Sequence, residues 1–412
     1  MTYPRQSYKG ALPLVSATSP KASFGSIVLL SAALMTLSGC SSLPAMPSLS
    51  TLNPFSAKVV PKNPPVALVD IKPTLAVRTL WTSPIGMAGI YSFSPAVTAD
   101  SVFVGAQDGT LARLELVSGK SQWRINIGGT MTAGVGSDGN TVAVAGEKGT
   151  VLAYDGTGKL RWKAQVSSEV LSAPAVGQGL VVVRSQDNRI VGFDAETGAR
   201  KWVVQRTAPA LTLRAAPGIL LAPPSAYIAL PGGRLLALAL ATGAPRWEAT
   251  VGEARGTTEL ERIIDTSGMP VAIGREVCAV SYQGRAMCFD SNTGTVAWAK
   301  DLSSSVGLGA DERFVFAADT AGAVQALTRD GGASVWKNTQ LAYRRLSAPV
   351  SIGRAVAVGD YQGYIHFLGR EDGALLARIA TDGSEVLAAP VLANGSLIVQ
   401  TRAGAVVALA AE

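Results

Sequence analysis

Six segments of the 412-residue chain end alike, with a glycine followed four residues later by a tryptophan: Gly119 and Trp123, Gly158 and Trp162, Gly198 and Trp202, Gly243 and Trp247, Gly294 and Trp298, Gly332 and Trp336. A further copy keeps Gly373 but places Ala377 where the ring would stand, and Trp81 opens the series without a glycine before it. Together these positions use all seven tryptophans of the chain. The intervals between successive marks, starting at Trp81 and ending at Ala377, are 42, 39, 40, 45, 51, 38 and 41 residues. Such a period fits one four-stranded blade of a β-propeller. Helical repeats have similar periods, so the interior of the unit decides. It holds short Val/Ala/Ile-rich runs broken by Gly and Asp turns, as in LVVVRSQDNRIVGFDA and AVAVGDYQGYIHFLG, with no sustained 3.6-residue periodicity.

The spacing has a mechanical reason. Asp or Asn followed by Thr and Gly suits a type I turn whose last residue is left-handed, a conformation glycine adopts without steric cost. The tryptophan then falls on the next strand, where its large ring can wedge between neighbouring blades. The chain ends in GAVVALAAE with no further turn or ring, and VRTLWTSPI supplies a tryptophan strand with nothing before it. These fragments complement each other, so the expected fold is all-β: an eight-bladed propeller of four-stranded antiparallel blades over residues 74–412, closed by pairing of the N-terminal strand with the C-terminal strands.

Ahead of the repeats, Arg5, Lys9 and Lys21 precede an apolar run that ends in Leu37-Ser38-Gly39-Cys40. A basic start, a short apolar core and small residues before the cut describe an export signal, too short to span a bilayer. Residues 1–39 are therefore read as signal, and the Pro- and Ser-rich residues 40–73 as an extended tether. LSGC resembles the lipobox of bacterial lipoproteins; the resemblance implies lipidation of Cys40 and, with Ser41 following, sorting to the outer membrane.

Several function classes are disfavoured. The formal charge is +7, but without the three basic signal residues 33 Lys/Arg stand against 29 Asp/Glu, with no basic run or helix of the kind that tracks nucleic acid. No GxSxG, HExxH, phosphate-binding glycine loop or Cys/His cluster is present, and no catalytic residue, cofactor or metal is expected. The lone histidine, His366, sits in a strand-like run and is expected to face neighbouring side chains. Cys278 and Cys288 flank a turn at equal distances. Two arrangements fit them: a cross-strand disulfide, which an oxidising compartment permits, or two buried thiols.

The Asp, Thr-Gly and Trp pattern resembles the PQQ-like repeat of quinoprotein alcohol dehydrogenases and of the BamB family of outer-membrane assembly factors. The dehydrogenases carry adjacent cysteines, absent here, and are much longer. The lipobox, the blade count and the closing strand resemble the BamB family over essentially the whole chain after the signal. That resemblance implies a non-enzymatic, lipid-anchored scaffold facing the periplasm, working with BamA, other Bam lipoproteins and nascent β-barrel proteins. A quinoprotein-like enzyme and a propeller binding cell-wall sugars are the alternatives.

The two longest intervals are consecutive and contain residues 206–217 and 251–271, which mix aliphatics with charge. Repeat proteins place such insertions on one binding face, and a mixed apolar and Arg/Asp surface suits a protein interface. The family holds the periplasmic POTRA domains of BamA through a Leu-x-Leu-Arg segment and an acidic loop after Thr-Glu-x-x-Arg. Matching positions are Leu211, Leu213 and Arg214, then Asp265 after Thr258, Glu259 and Arg262; the family's second acidic position is Ser267 here. On the residues alone, Leu211 and Leu213 also alternate as core strand residues would, and Arg214 could pair with Asp265 within the loops.

Overall fold

In most strands of a sheet solvated on one face, buried and exposed residues alternate; the second strand of each blade here shows no such alternation. Ser101–Gly105, Thr141–Gly146, Leu180–Arg184 and Ala355–Gly359 are buried at every position. Each lies between two neighbouring sheets, so both faces are covered, and Val, Ala and Gly fill most of the positions. Only the outer strands alternate, as in Arg200–Gln205, where Trp202 and Val204 point inward.

The computed structural model describes residues 63–412. The signal segment 1–39, Cys40 and the tether up to residue 62 lie outside the described residues. Eight four-stranded antiparallel sheets follow one another as blades. Blades 1 to 7 cover residues 96–126, 131–165, 175–205, 219–250, 266–301, 308–338 and 350–380. Blade 8 combines Val391–Ala393, Ser396–Gln400 and Ala405–Ala411 with the N-terminal strand Val77–Pro84, the closure expected from the two chain ends.

The repeated glycine and tryptophan form a latch between blades. In blades 1 to 7 the pairing of third and outer strand carries a bulge just before the Trp position, which re-aims that side chain. Each indole N–H then donates to a carbonyl in the glycine-ended turn between the third and outer strands of the following blade. Trp162 Nε1 reaches Ala195 O at 2.9 Å, Trp202 reaches Leu240 O at 2.9 Å, and Trp81 of blade 8 reaches Leu116 O of blade 1 at 2.9 Å. The turn glycine lies flat under that ring. Gly198 has φ +72°, and a Cβ there would come within 2.7 Å of Trp162. The turn is organised by its aspartate: Asp194 Oδ1 accepts from the N–H groups of Glu196 and Thr197, and the Thr197 N–H in particular holds its carboxyl below the usual range.

Ala377 breaks the series for a structural reason. A ring there would dock on the third-to-outer turn of blade 8, and blade 8 has no such turn, because its third strand Ala405–Ala411 and its outer strand Val77–Pro84 come from distant parts of the sequence. An extended segment fills the seam instead. Thr74 N donates to the bulged Leu376 O at 2.8 Å, Arg354 Nη2 donates to Thr74 O, and Glu412 N donates to Ala76 O at 2.9 Å. Leu75 is buried in the same cluster as Ala377. Upstream, Val66 N donates to Ala342 O at 3.0 Å, Arg378 Nη2 reaches Val69 O at 3.0 Å, and Leu68 packs against the cluster shared by blades 6 and 7. Residues 66–75 thus form a strap across blade 7. Leu75→Ala is expected to cost about 2 kcal/mol, the low end for a buried leucine because the strap is a single extended segment that can partly settle into the space; chemical denaturation of parent and variant checks it.

Candidate docking face

In this topology the connections from each outer strand to the next inner strand emerge on one face, together with the hairpins between second and third strands; the glycine turns between third and outer strands emerge on the other. The first face carries both long connections. Residues 206–218 lead into blade 4, and residues 251–265 lead into blade 5.

Leu211 and Leu213 are not core strand residues. Leu211 is 46% exposed in an irregular segment, and Leu213 is half-buried. Arg214 does not meet Asp265. Its Nη2 donates to both carboxylate oxygens of Glu169, at 2.9 and 2.8 Å, and its guanidinium carbon lies 5.9 Å from the centre of the Tyr91 ring. An exposed ion pair adds little stability, but with the ring beneath it this one sets the direction of the guanidinium. Among the described residues, Nε and Nη1 of Arg214 donate to no protein acceptor, so two nitrogens face outward.

Asp265 lies inside the loop layer, 4% exposed. It accepts from Leu213 N through Oδ2 and from Gly232 N at 3.0 Å through Oδ1. Burial pushes its carboxyl up, against those two N–H groups and the nearby Arg184 charge. Arg184 is itself buried, and burial brings it down to about 10. Asp265 therefore acts on the face from beneath, by holding the backbone of Leu213 beside Arg214. Ser267 is buried as well.

The Thr258-Glu259-Leu260-Glu261-Arg262 run forms a self-stapled turn. Glu261 Oε2 accepts from Thr257 N at 2.9 Å and Thr258 N at 3.0 Å, while Glu261 N donates to Thr258 Oγ1 at 3.2 Å. Those N–H donors, Thr258 first, hold the Glu261 carboxyl below its ordinary range. At the tip stands Leu260, 72% exposed. Between the two long connections lies an open groove of about 390 Å³, with Leu211, Pro209 and Ile264 on its apolar wall and Glu253 and Arg262 among its polar residues. The structure thus gathers Leu211, Leu213, Arg214 and Asp265 at one place, in two layers: leucines and arginine outside, aspartate beneath.

Sequence reasoning missed Glu169 and Tyr91. Both sit in connections of other blade junctions, and nothing in their local sequence ties them to Arg214. Cys278 and Cys288 lie elsewhere, directly opposite each other on the second and third strands of blade 5, and are joined as a disulfide. His366 is fully buried against Asp360.

Eight blades, seven of their seams latched by tryptophan and the ring closed by the N-terminal strand, with one loop-rich face, define a β-propeller of the PQQ-like repeat class. A family model described as outer membrane protein assembly factor BamB matches residues 107–338. The chain is 44% identical to the outer membrane protein assembly factor BamB of Bordetella pertussis over 349 residues, covering 84% of this chain and 90% of that protein. It is 43% identical to the assembly factor of the same name in Burkholderia pseudomallei over 343 residues, covering 83% and 90%. The solved structure of BamB from Moraxella catarrhalis superposes with a TM-score of 0.75 at 28% identity, covering 81% of this chain and all of that one. A quinohemoprotein alcohol dehydrogenase from Comamonas testosteroni, at 14% identity and a TM-score of 0.63, covers 81% of this chain and 76% of its own and shares the fold. The chain belongs to the BamB family of outer-membrane protein assembly factors.

Proposed function

We propose that the protein is a non-enzymatic scaffold of the outer-membrane β-barrel assembly machinery that docks on the periplasmic POTRA domains of BamA. In this reading residues 1–39 are a signal, Cys40 carries the lipid, the residues from Cys40 to the strap at 66–75 tether the propeller, and the propeller faces the periplasm. It works beside other Bam lipoproteins and supports folding and insertion of nascent β-barrel proteins. The observation that carries the reading is Arg214. Its guanidinium is pre-aimed by Glu169 and Tyr91, leaves donors outward, and is flanked by the exposed Leu211. A fixed arginine among apolar side chains is the composition of an interface hot spot.

Binding of the full chain in detergent to the BamA periplasmic region tests this. Arg214→Glu is expected to weaken binding about 30-fold or more, the size of a hot-spot loss of about 2 kcal/mol. Asp265→Ala is expected to weaken it less, by loosening Leu213, with melting confirming that the variant folds. Undiminished binding by Arg214→Glu would remove the docking role from this face.

A further inference from the structure

The turn leading into blade 1 is as conspicuous as the two long connections, although its interval is ordinary in length. It emerges on the same face. Ile85, Ala88 and Phe93 are buried, while Met87 and Ile90 are 65% and 67% exposed. The turn is pinned throughout. Ala88 N donates to Arg402 O at 2.9 Å, Gln107 N to Met87 O at 2.9 Å, Tyr91 N to Ala88 O at 3.2 Å, and Arg402 Nε to Gly89 O at 3.0 Å. Gly89 has φ +61°, a left-handed conformation that glycine adopts without steric cost, and it packs against the side chain of Gln107. Two large aliphatic side chains on a fixed turn cost solvation and add nothing to the core. Held this way, they have already lost the conformational freedom that a binding loop gives up on contact. Leu387, 45% exposed in the neighbouring connection, extends the patch and lines a small hollow with Tyr91 and Arg402.

The patch is joined to the docking face. Tyr91, next to Ile90 in the chain, lies under Arg214, so the loop into blade 4 touches the loop into blade 1 across three blades. The geometry points to one continuous footprint: Met87, Ile90 and Leu387 form its second half and take the same folded partner domain, through an apolar hollow bordered by a carboxylate that meets Arg214. This rests on the docking reading above. A flexible peptide would not need a rigid turn, and apolar side chains beside a paired arginine fit a protein surface.

The test measures binding of the full chain in detergent to the BamA periplasmic region for the parent, Arg214→Glu, Tyr91→Ala and the double variant Met87→Glu/Ile90→Glu, all checked for folding by melting. In parallel, the same proteins are floated with vesicles of phosphatidylethanolamine and phosphatidylglycerol. The expected result is a tenfold or greater loss for the double variant, a smaller loss for Tyr91→Ala, and flotation equal to the parent. Normal binding by the double variant beside weakened binding by Arg214→Glu would overturn this inference and leave the docking reading standing. Parent binding that neither change weakens, or no parent binding at all, would overturn both. Flotation lost in the double variant with BamA binding intact would assign the turn to the lipid surface and overturn the inference.

Discussion

Asp360→Ala is expected to destabilise the protein by about 3–5 kcal/mol, because it strands a buried charge. Arg344 is 2% exposed, and its Nε donates to Asp360 Oδ2 at 2.8 Å. The same carboxylate oxygen accepts from His366 Nε2 at 2.9 Å, while Oδ1 accepts from Gln362 N and Tyr364 N at 2.9 and 3.0 Å. Without the carboxylate these donors face each other in the interior. The damage extends to the strap, since Arg344 Nη1 donates to Val66 O at 3.0 Å. Hydrogen exchange should show residues 66–75 losing protection in the variant. A compensating Arg344→Met alongside Asp360→Ala is expected to recover much of the loss, as replacing both members of a buried pair removes the stranded charge.

The same cluster gives a pH dependence with a definite sign. Burial holds His366 below its ordinary value, outweighing the pull of Asp360, with Arg378 and Arg344 also lowering it. Arg378 Nε donates to His366 Nδ1 at 3.3 Å, which leaves the proton on Nε2, facing Asp360. A folded value below the unfolded one means that the unfolded chain takes up the proton first. The contribution of His366 is therefore complete above about pH 6.5 and is lost as pH falls from there through the folded value. His366→Gln should flatten that part of the stability curve, measured by denaturation at several pH values.

Trp202→Ala is expected to cost about 3–5 kcal/mol, the range for deleting a buried aromatic ring. The ring is nearly buried, donates to Leu240 O at 2.9 Å and covers Gly243 of the next blade, where a Cβ would come within 2.7 Å of it. Its loss opens a cavity between blades 3 and 4 and leaves that carbonyl without its donor. Gly243→Ala approaches the latch from the other side. Its φ of +70° alone costs an alanine about 1–2 kcal/mol, and the methyl group would also press on the ring. Melting temperatures of both variants, with hydrogen exchange across residues 180–240, should show the seam between blades 3 and 4 opening before the others.

What was legible in the sequence was whatever the repeat states many times. The glycine and tryptophan spacing carries the blade count, the left-handed turn and the closing strand, because each blade solves the same steric problem with the same residues. What happens once was not legible. The strap over residues 66–75 reads as plain tether, and its partners, Ala342, Arg344, Leu376 and Arg378, lie about 300 residues further along the chain. Asp265 and Arg214 both sit in the long connections, yet which of them faces outward depends on Glu169 and Tyr91 from two other junctions. For Cys278 and Cys288 the equal flanking distances allowed both a bridge and free thiols; the strand register, which pairs the two residues directly, decides between them.

Blade 8 also imposes an order of events. A chain is synthesised from its N-terminus, so Val77–Pro84 exists long before its neighbour Ala405–Ala411, to which it pairs from Val77 opposite Ala411 to Pro84 opposite Ala405. Until Ala405–Ala411 is made, its Trp81 has only the blade 1 turn to rest on and one long edge remains open. Circle completion therefore waits for Ala405–Ala411 and has a very large loop to close, and a chain stopped before Ala405 would hold seven finished blades beside an unpaired Val77–Pro84 strand.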